Sequence, residues 1–406
     1  MKILEVNATD VIGHIFNGYD LLHKLNKENG KFDVKQIVLD KRSKDEEVIC
    51  IEKDLTVYSH IMRLEKKYAV SNVLFPYGEK LYSMPEFQSA DIVHFHILHN
   101  DFISLLDYPK LMNAKKSVWT IHDPWILTGN CVYPLSCNNW LSGCKECHSE
   151  DQRYEMAAKN MPFMWELKKK ILSQVNPDII VSCNFMKKYL EQSPLTKHFN
   201  KIHVIPFGVD VSKYHPEKKR EKKQLFGLDE NKITIGFRVE NEAIKGCSYI
   251  YDALNSLDIE DKVEIIVAGA GTIPNELKQK YLVRELGWVD DESTMISFME
   301  ATDIFLMPSL AESFGLMAIE SMAAESVVVC FEGTVLEEII DSPNCGIAVQ
   351  YKSSKALAKA ISDLIDNRED LEERALLGRK RVEENYLFEK YVEEHKRLYM
   401  NLENEG

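Results

Sequence analysis

Asp303-Ile304-Phe305-Leu306-Met307-Pro308-Ser309-Leu310-Ala311-Glu312-Ser313-Phe314-Gly315-Leu316-Met317-Ala318-Ile319-Glu320-Ser321-Met322-Ala323-Ala324 is the stretch from which the rest of the chain can be read. Residues 303–307 form a short apolar run of strand type. Pro308 and Ser309 end it, and Phe314-Gly315-Leu316 opens a helix of small and apolar residues. A strand, a turn and a glycine-started helix, in that order, make up the βα half of a parallel-sheet unit.

The same alternation extends outward in both directions. Strands are predicted at 2–6, 34–39, 91–95, 117–121, 178–181 and 202–205, and again at 233–237, 263–268, 303–307, 327–331 and 346–349. Helical patterns fall between them, as at 21–29, 165–174, 292–301 and 355–366. The alternation implies parallel sheets covered on both faces. It pauses once, over the polar segment 210–230, which contains Lys218-Lys219-Arg220-Glu221-Lys222-Lys223. This basic run reads as a solvated helix face, with a ligand patch as the alternative. The expected organisation is α/β with two doubly wound, Rossmann-like domains, 1–207 and 208–386, followed by a terminal helix, 387–406, that crosses back to the first domain. Two such domains are expected to face a central cleft, with ligands at the carboxyl ends of the strands.

A chain of 406 residues is long for one core and suits two domains. A net charge of −14 argues against nucleic-acid binding, which needs a basic face. Met1-Lys2-Ile3-Leu4-Glu5-Val6 loses its apolar character at Glu5, so it is not read as a signal peptide. No stretch approaches the roughly eighteen apolar residues of a membrane span. The expected location is therefore cytoplasmic, with a peripheral contact at the inner face of the membrane left open.

The opening stretch also carries chemistry. A helix start offers unpaired N–H groups and a partial positive charge, which suit a phosphate, and Gly315 lets a ligand approach the backbone closely. Glu320, among Met317, Ala318, Ile319, Met322 and Ala323, is costly to bury without partners. It lies five residues past Gly315, roughly 7–8 Å along the helix. That spacing approximates the distance from a β-phosphate to the ribose hydroxyls of a nucleotide. Glu312 precedes the helix, where a sugar on that phosphate would lie. The alternative is a helix whose glutamates serve as cap and salt-bridge partner.

This segment resembles the Glu-x7-Glu motif of retaining GT-B glycosyltransferases, family four (glycosyl transferases group 1), and the likeness runs from the first strand to the last helix. The resemblance implies that Glu312 touches the donor sugar and Glu320 the ribose, while Ser313, Phe314, Gly315 and Leu316 hold the diphosphate. It implies that Arg238 and Lys245 grip the same diphosphate; fixed cations there would stabilise the charge that builds on the leaving group. Seven residues separate this pair, more than the commoner family spacing. The resemblance also implies that His122, at the end of a first-domain strand beside Asp123, contacts the donor sugar and the reacting centre. Gly13 would lie in a loop beside the phosphates, although the family's usual glycine pair is absent. Trp288 or Val289 would flank the nucleobase, with a core role for Trp288 as the alternative. His96 and His99 either line the acceptor side or are structural.

Cys131, Cys137, Cys144 and Cys147 crowd one insertion, 129–150. Cys144-x-x-Cys147 has the spacing of a zinc knuckle, and the other two could complete a closed, structural zinc site of four thiolates. Disulfides or four free thiols are the alternatives. The residues before them, His122-Asp123-Pro124-Trp125-Ile126-Leu127-Thr128-Gly129, resemble a branch of family-four enzymes from bacterial surface-polysaccharide synthesis. The expectation is a retaining glycosyltransferase that moves a hexosyl or N-acetylhexosaminyl group from a nucleotide-sugar donor to a saccharide or lipid-linked acceptor. No cofactor is expected to be required for catalysis. The rivals are a GT-B nucleotide-sugar epimerase and a non-catalytic nucleotide-sugar-binding subunit of a polysaccharide assembly complex.

Overall fold

The structure, a computed structural model, describes residues 1–11, 15–28, 30–147 and 160–404. The chain divides into two compact units, Met1–Pro206 with Tyr391–Gly406, and Phe207–Lys390. The last helix, Phe388–Asn404, spans that division.

The first unit is built on seven strands: β1 Lys2–Thr9, β2 Asp33–Asp40, β3 Val48–Cys50, β4 Ile92–Phe95, β5 Lys116–Thr120, β6 Asp178–Val181 and β7 Ile202–Val204. Their order is β3-β2-β1-β4-β5-β6-β7, with every pair parallel. The second unit has six: β8 Ile233–Arg238, β9 Val263–Ala268, β10 Val283–Glu285, β11 Ile304–Leu306, β12 Val327–Phe331 and β13 Ile347–Val349. Their order is β10-β9-β8-β11-β12-β13, again parallel throughout. The chain thus has the α/β class and doubly wound sheets expected of it. Every residue of β4, β6, β9, β11 and β12 is buried, as strands covered on both faces require. Each sheet reverses direction once, between β1 and β4 and between β8 and β11, and such switch points open a crevice at the carboxyl ends.

Two strands, β3 and β10, were not legible from the sequence. Both lie at a sheet edge. An edge strand pairs on one side only, so Val283-Arg284-Glu285 need not be uniformly apolar.

The basic run corrects a second expectation, because only part of it is a solvated face. Lys218 and Arg220 are exposed, but helix Lys219–Leu225 turns its other lysines inward. Lys223 Nζ lies 2.6 Å from Asp303 Oδ2, Lys219 Nζ 3.4 Å from Asp303 Oδ1, and Lys222 Nζ 3.2 Å from Glu300 Oε2. Asp303 also accepts from Thr234 N at 2.7 Å, which ties β8 to the start of β11. Burial works to raise the Asp303 carboxyl, but Lys219 and Lys223 hold it below the ordinary range. A depressed carboxylate adds stability above its unfolded value of 3.8, and that stability is lost as pH falls through the folded value. Asp303→Asn leaves Lys223 nearly buried without its counter-charge and is expected to cost about 2–3 kcal/mol near neutral pH. Urea denaturation of both proteins at pH 7 checks this; equal midpoints would remove the pair from the account of the fold.

Candidate functional site

In the first unit, the switch point is packed with ionisable groups. Glu5 sits in the middle of β1 and pairs in register with His94 of β4. Both are fully buried, and His96 nearly so. Glu5 Oε2 lies 2.5 Å from His96 Nε2 and 3.2 Å from His94 Nδ1, while Tyr399 of the last helix donates to Glu5 Oε1 at 3.1 Å. His94 also meets the Tyr399 hydroxyl at 2.6 Å and the Thr120 hydroxyl at 2.7 Å. Burial works to raise the Glu5 carboxyl, but His94 and His96 hold it well below the carboxylate range. Burial also pushes the His96 imidazole down to about 4, so the ring is neutral near pH 7. His122, two residues past β5, joins this cluster through His96 Nδ1, 3.1 Å from its Nε2, with the Phe16 ring 5.6 Å away. Asp123 turns elsewhere: it pairs with His99 at 3.1 Å and caps the turn Pro124–Leu127.

In the second unit, the loops after β8, β10 and β11 converge beside the switch point. Arg238 ends β8. Its Nε pairs with Glu240 Oε1 at 2.6 Å, and its guanidinium lies 5.1 Å from the centre of the Trp288 ring. Its Nη1 reaches Met317 Sδ at 3.9 Å, in the first turns of helix Leu316–Ala323. Lys245 Nζ lies 2.7 Å from Glu312 Oε1, which also accepts from Ser309 Oγ at 3.1 Å. Gly246, at φ 73°, sits so close to the loop after β11 that a Cβ would lie 2.0 Å from the Pro308 carbonyl oxygen. Leu310 N donates to Ile244 O at 2.8 Å, which closes the two loops on each other.

Gly315 begins the helix at φ 99°, and a Cβ there would meet Leu336 Cδ2 at 2.4 Å. Phe314 is buried edge-to-face against Phe207 at 5.3 Å and Tyr386 at 5.8 Å, which fixes the chain as it enters the helix. Ser313, Leu316 and Glu320 are half-buried. Burial, with the Glu320 charge next in weight, pushes the Tyr214 phenol far above its ordinary value, so Glu320 lies near that ring. The sequence-predicted Arg238, Lys245, Glu312 and Gly315 are therefore gathered at one switch point. Trp288 is 58% exposed, which excludes the core role, and Val289 is half-buried. Gly13 lies outside the described residues.

Residues 231–367 match the family described as Glycosyl transferases group 1, from the start of β8 through the helix Ser354–Asp366. Over these residues the chain is similar to a glycosyl transferases group 1 domain. They include Arg238, Lys245, Trp288, Glu312 and Glu320. The chain is 26% identical over 201 residues to the D-inositol 3-phosphate glycosyltransferase of Paenarthrobacter aurescens, covering 45% of this chain and 49% of that one. It is 27% identical over 214 residues to the lipopolysaccharide core biosynthesis mannosyltransferase LpsB of Rhizobium meliloti, covering 49% and 60%. The chain spans about half the length of the curated relatives it matches. In fold it is similar to the sucrose-phosphate synthase of Thermosynechococcus elongatus, with a TM-score of 0.71, 14% identity and full coverage of both chains.

Sequence reasoning missed two features, one in the second unit's loops and one at the first unit's switch point. Ser309 supports Glu312, and nothing in its residue type marks it. The Glu5, His94 and His96 cluster did leave a signal. A carboxylate inside the apolar run Ile3-Leu4-Glu5-Val6 needs a buried partner, and histidines two apart on a strand share one face.

The cysteine loop is described as far as Cys147. Among the described residues, the one group of three or more His, Cys, Asp or Glu with ligand atoms all within 4.8 Å is Glu5, His94 and His96. Cys131, Cys137, Cys144 and Cys147 are not gathered in that way, and no disulfide joins them. Burial pushes the Cys144 thiol up to about 11, with Cys131 and Cys137 adding to the rise. Packing and hydrogen bonds tie the loop to the first unit. Lys168 Nζ bonds the carbonyls of Trp125 and Thr128 and sits 3.4 Å from the centre of the Trp125 ring. Trp165 Nε1 donates to Trp140 O at 2.8 Å, and Gly129 N to Cys144 Sγ at 3.3 Å. Residues 148–150 of the expected insertion lie outside the described residues.

Two outcomes follow from this geometry. Gly246→Ala forces the loops after β8 and β11 apart and is expected to cost roughly 2–4 kcal/mol. A Gly246→Ala protein whose urea midpoint matches the parent's would contradict the clamp. Acid sensitivity is the second. Burial holds His96 at about 4 and His395 at about 3, against an ordinary 6.5. Between those values the unfolded chain binds more protons than the fold, so stability falls as pH drops from 6.5 towards 4. Each ring contributes up to about 1.4 kcal/mol per pH unit. The urea midpoint measured from pH 7 to pH 5 should fall, and should fall less steeply in His395→Phe.

Proposed function

We propose that this chain is a retaining glycosyltransferase. In this reading it takes a hexosyl or N-acetylhexosaminyl group from a nucleoside-diphosphate sugar and passes it to a saccharide or lipid-linked saccharide in surface-polysaccharide synthesis. The reading is supported by one observation above the others. Within the stretch similar to a glycosyl transferases group 1 domain, Arg238, Lys245 and Glu312 converge beside a helix that starts at Gly315 and carries half-buried Glu320 in its second turn.

Each group then has a task that follows from its chemistry. The first amides of the helix, with no partner inside it, receive the diphosphate. Arg238, steadied by Glu240 and Trp288, and Lys245 neutralise the charge that grows as the sugar–phosphate bond breaks. Lys245 is held by Glu312 before any ligand arrives, so donor binding places it between two anions. Glu320 accepts from the ribose hydroxyls, and Glu312 from the donor sugar. The anomeric carbon loses its bond to phosphate and gains one to the acceptor oxygen on the same face. The departing phosphate oxygen takes the acceptor's proton, so no further base is needed.

Thermal denaturation with a panel of uridine, guanosine and adenosine diphosphate sugars tests the donor site. A ligand at a hundredfold its Kd stabilises by about 2.7 kcal/mol, a shift of several degrees. Glu320→Gln is expected to lose most of that shift. Glu312→Gln is expected to keep it while transfer falls roughly a hundredfold or more. A protein unmoved by any of these sugars would overturn the reading. Donor consumed without an acceptor, to give an isomeric nucleotide sugar, would point to an epimerase instead.

A further inference from the structure

Lys245, Gly246 and Cys247 are consecutive, and each fixes a different part of the second unit's loops. Lys245 holds Glu312, and Gly246 admits the Pro308 carbonyl. Cys247 opens the helix Cys247–Asn255 and is buried. Its Sγ accepts from Glu240 N at 3.4 Å and donates to Arg238 O at 3.5 Å. Arg238 and Glu240 are also the two residues whose side chains pair at 2.6 Å. One thiol therefore grips the backbone at both ends of the segment that carries this ion pair. The residue between them is tied to the loop after β9 instead: Val239 N donates to Ala268 O at 2.8 Å, and Gly271 N donates to Val239 O at 2.9 Å. Successive peptide groups of an extended chain face opposite ways, so β9 and its loop hold one side of the segment and the thiol holds the other.

We propose that Cys247 is a positioning residue: its thiol staples Arg238 and Glu240 to the start of the helix and so fixes the Arg238 guanidinium for the diphosphate of the donor. The effect on donor turnover rests on the proposed transferase reading, whereas the staple does not. A thiol suits the task because it can donate once and accept once, and the segment presents it with one carbonyl and one amide. A thiolate could not donate to Arg238 O. Burial pushes the Cys247 thiol above its ordinary value, so it keeps its proton at neutral pH.

The staple matters because of what it holds. The Arg238 side chain is 38% exposed and leans on Glu240 and Trp288, so its place depends on where the backbone carries Glu240. An arginine that meets a diphosphate gains from being held before the ligand arrives, because otherwise the cost of ordering it is charged against binding. Each bond to sulfur is weak, but the two act on one short segment and share one rigid anchor. The Tyr251 hydroxyl, four residues along the same helix, also bonds the thiol and donates to Thr272 O at 3.1 Å, which ties the helix to the loop after β9.

The test is the exchange of the Arg238 Nε proton with water, read from a spectrum of the full chain labelled with nitrogen-15 in arginine. The signal is assigned by its loss in Arg238→Ala. The bond to Glu240 slows exchange in the parent. Cys247→Val, which fills the space without hydrogen bonds, should speed exchange roughly tenfold. Cys247→Ser, whose hydroxyl donates and accepts, should lie closer to the parent. If Cys247→Val fails to fold, Cys247→Ala serves in its place. Exchange unmoved in the apolar variant overturns the proposal, as does a serine variant no nearer the parent than the apolar one. With a nucleotide-sugar assay in hand, Cys247→Val should lower kcat/KM roughly tenfold in the parent but less than about twofold in Arg238→Ala. An equal loss in both backgrounds would show that Cys247 acts other than through Arg238, and would overturn the proposal as well. Failure of the transferase reading would show as no turnover of any nucleotide sugar by the parent, and failure of the staple in the exchange rates.

Discussion

The carbonyl oxygen of Pro308 occupies the space where a side chain on residue 246 would begin. That contact holds the loop after β8 against the loop after β11, and most of the second unit's chemistry is arranged by it. Lys245 is the residue before Gly246, and Glu312 lies four residues beyond Pro308, so the clamp brings a lysine and a glutamate 67 residues apart to 2.7 Å. Parallel strands on either side of a switch point diverge in their connections. Without a glycine in the left-handed region at 246, the two loops would separate and the ion pair with them. The same loops lead to Gly315, whose own positive φ lets the chain turn from Phe314 into the helix.

The first unit solves a different problem at its own switch point. It buries a carboxylate in the central strand, where an unpaired charge would be prohibitive. The charge is matched by hydrogen bonds from His94, His96 and Tyr399, and the last of these comes from the C-terminal helix. Lys116 Nζ also bonds the carbonyl of Leu402 at 2.6 Å, and Lys396 pairs with Glu28 at 2.6 Å. The terminal helix is thus part of the first unit's core, and its apolar stripe of Tyr391, Val392, Leu398, Tyr399 and Leu402 is buried. Polar contacts choose how that stripe docks, since a greasy stripe alone fixes neither its rotation nor its height.

Buried lysines carry a comparable role in both units. Lys223 is matched by Asp303, and Lys168 by two backbone carbonyls and an aromatic face. In each case a lysine amine pins a segment with little regular structure of its own: the connection before β8, and the loop of Trp125 and Trp140. In that loop the tryptophans and Lys168 supply a scaffold beside the cysteines.

What the sequence determined by itself was local and periodic. The β-branched runs placed eleven strands, three of them, at 178–181, 263–268 and 327–331, with the bounds the structure has. The alternation with helices determined a parallel, doubly wound arrangement, because parallel strands need a crossover between them. The motif around Gly315 pointed to Glu312 and Glu320, because a glycine-started helix after a strand limits where its side chains can stand. Only the tertiary structure decided the long-range pairings. Glu5 with His94 and His96, Lys245 with Glu312, and Lys223 with Asp303 are separated by 67 to 91 residues. Edge strands β3 and β10 also waited for it, since their neighbours rather than their composition make them strands. The physical reason is common to all of these: periodicity reports which face of an element is buried, whereas a charge or an edge is satisfied by a partner whose distance along the chain carries no local signature.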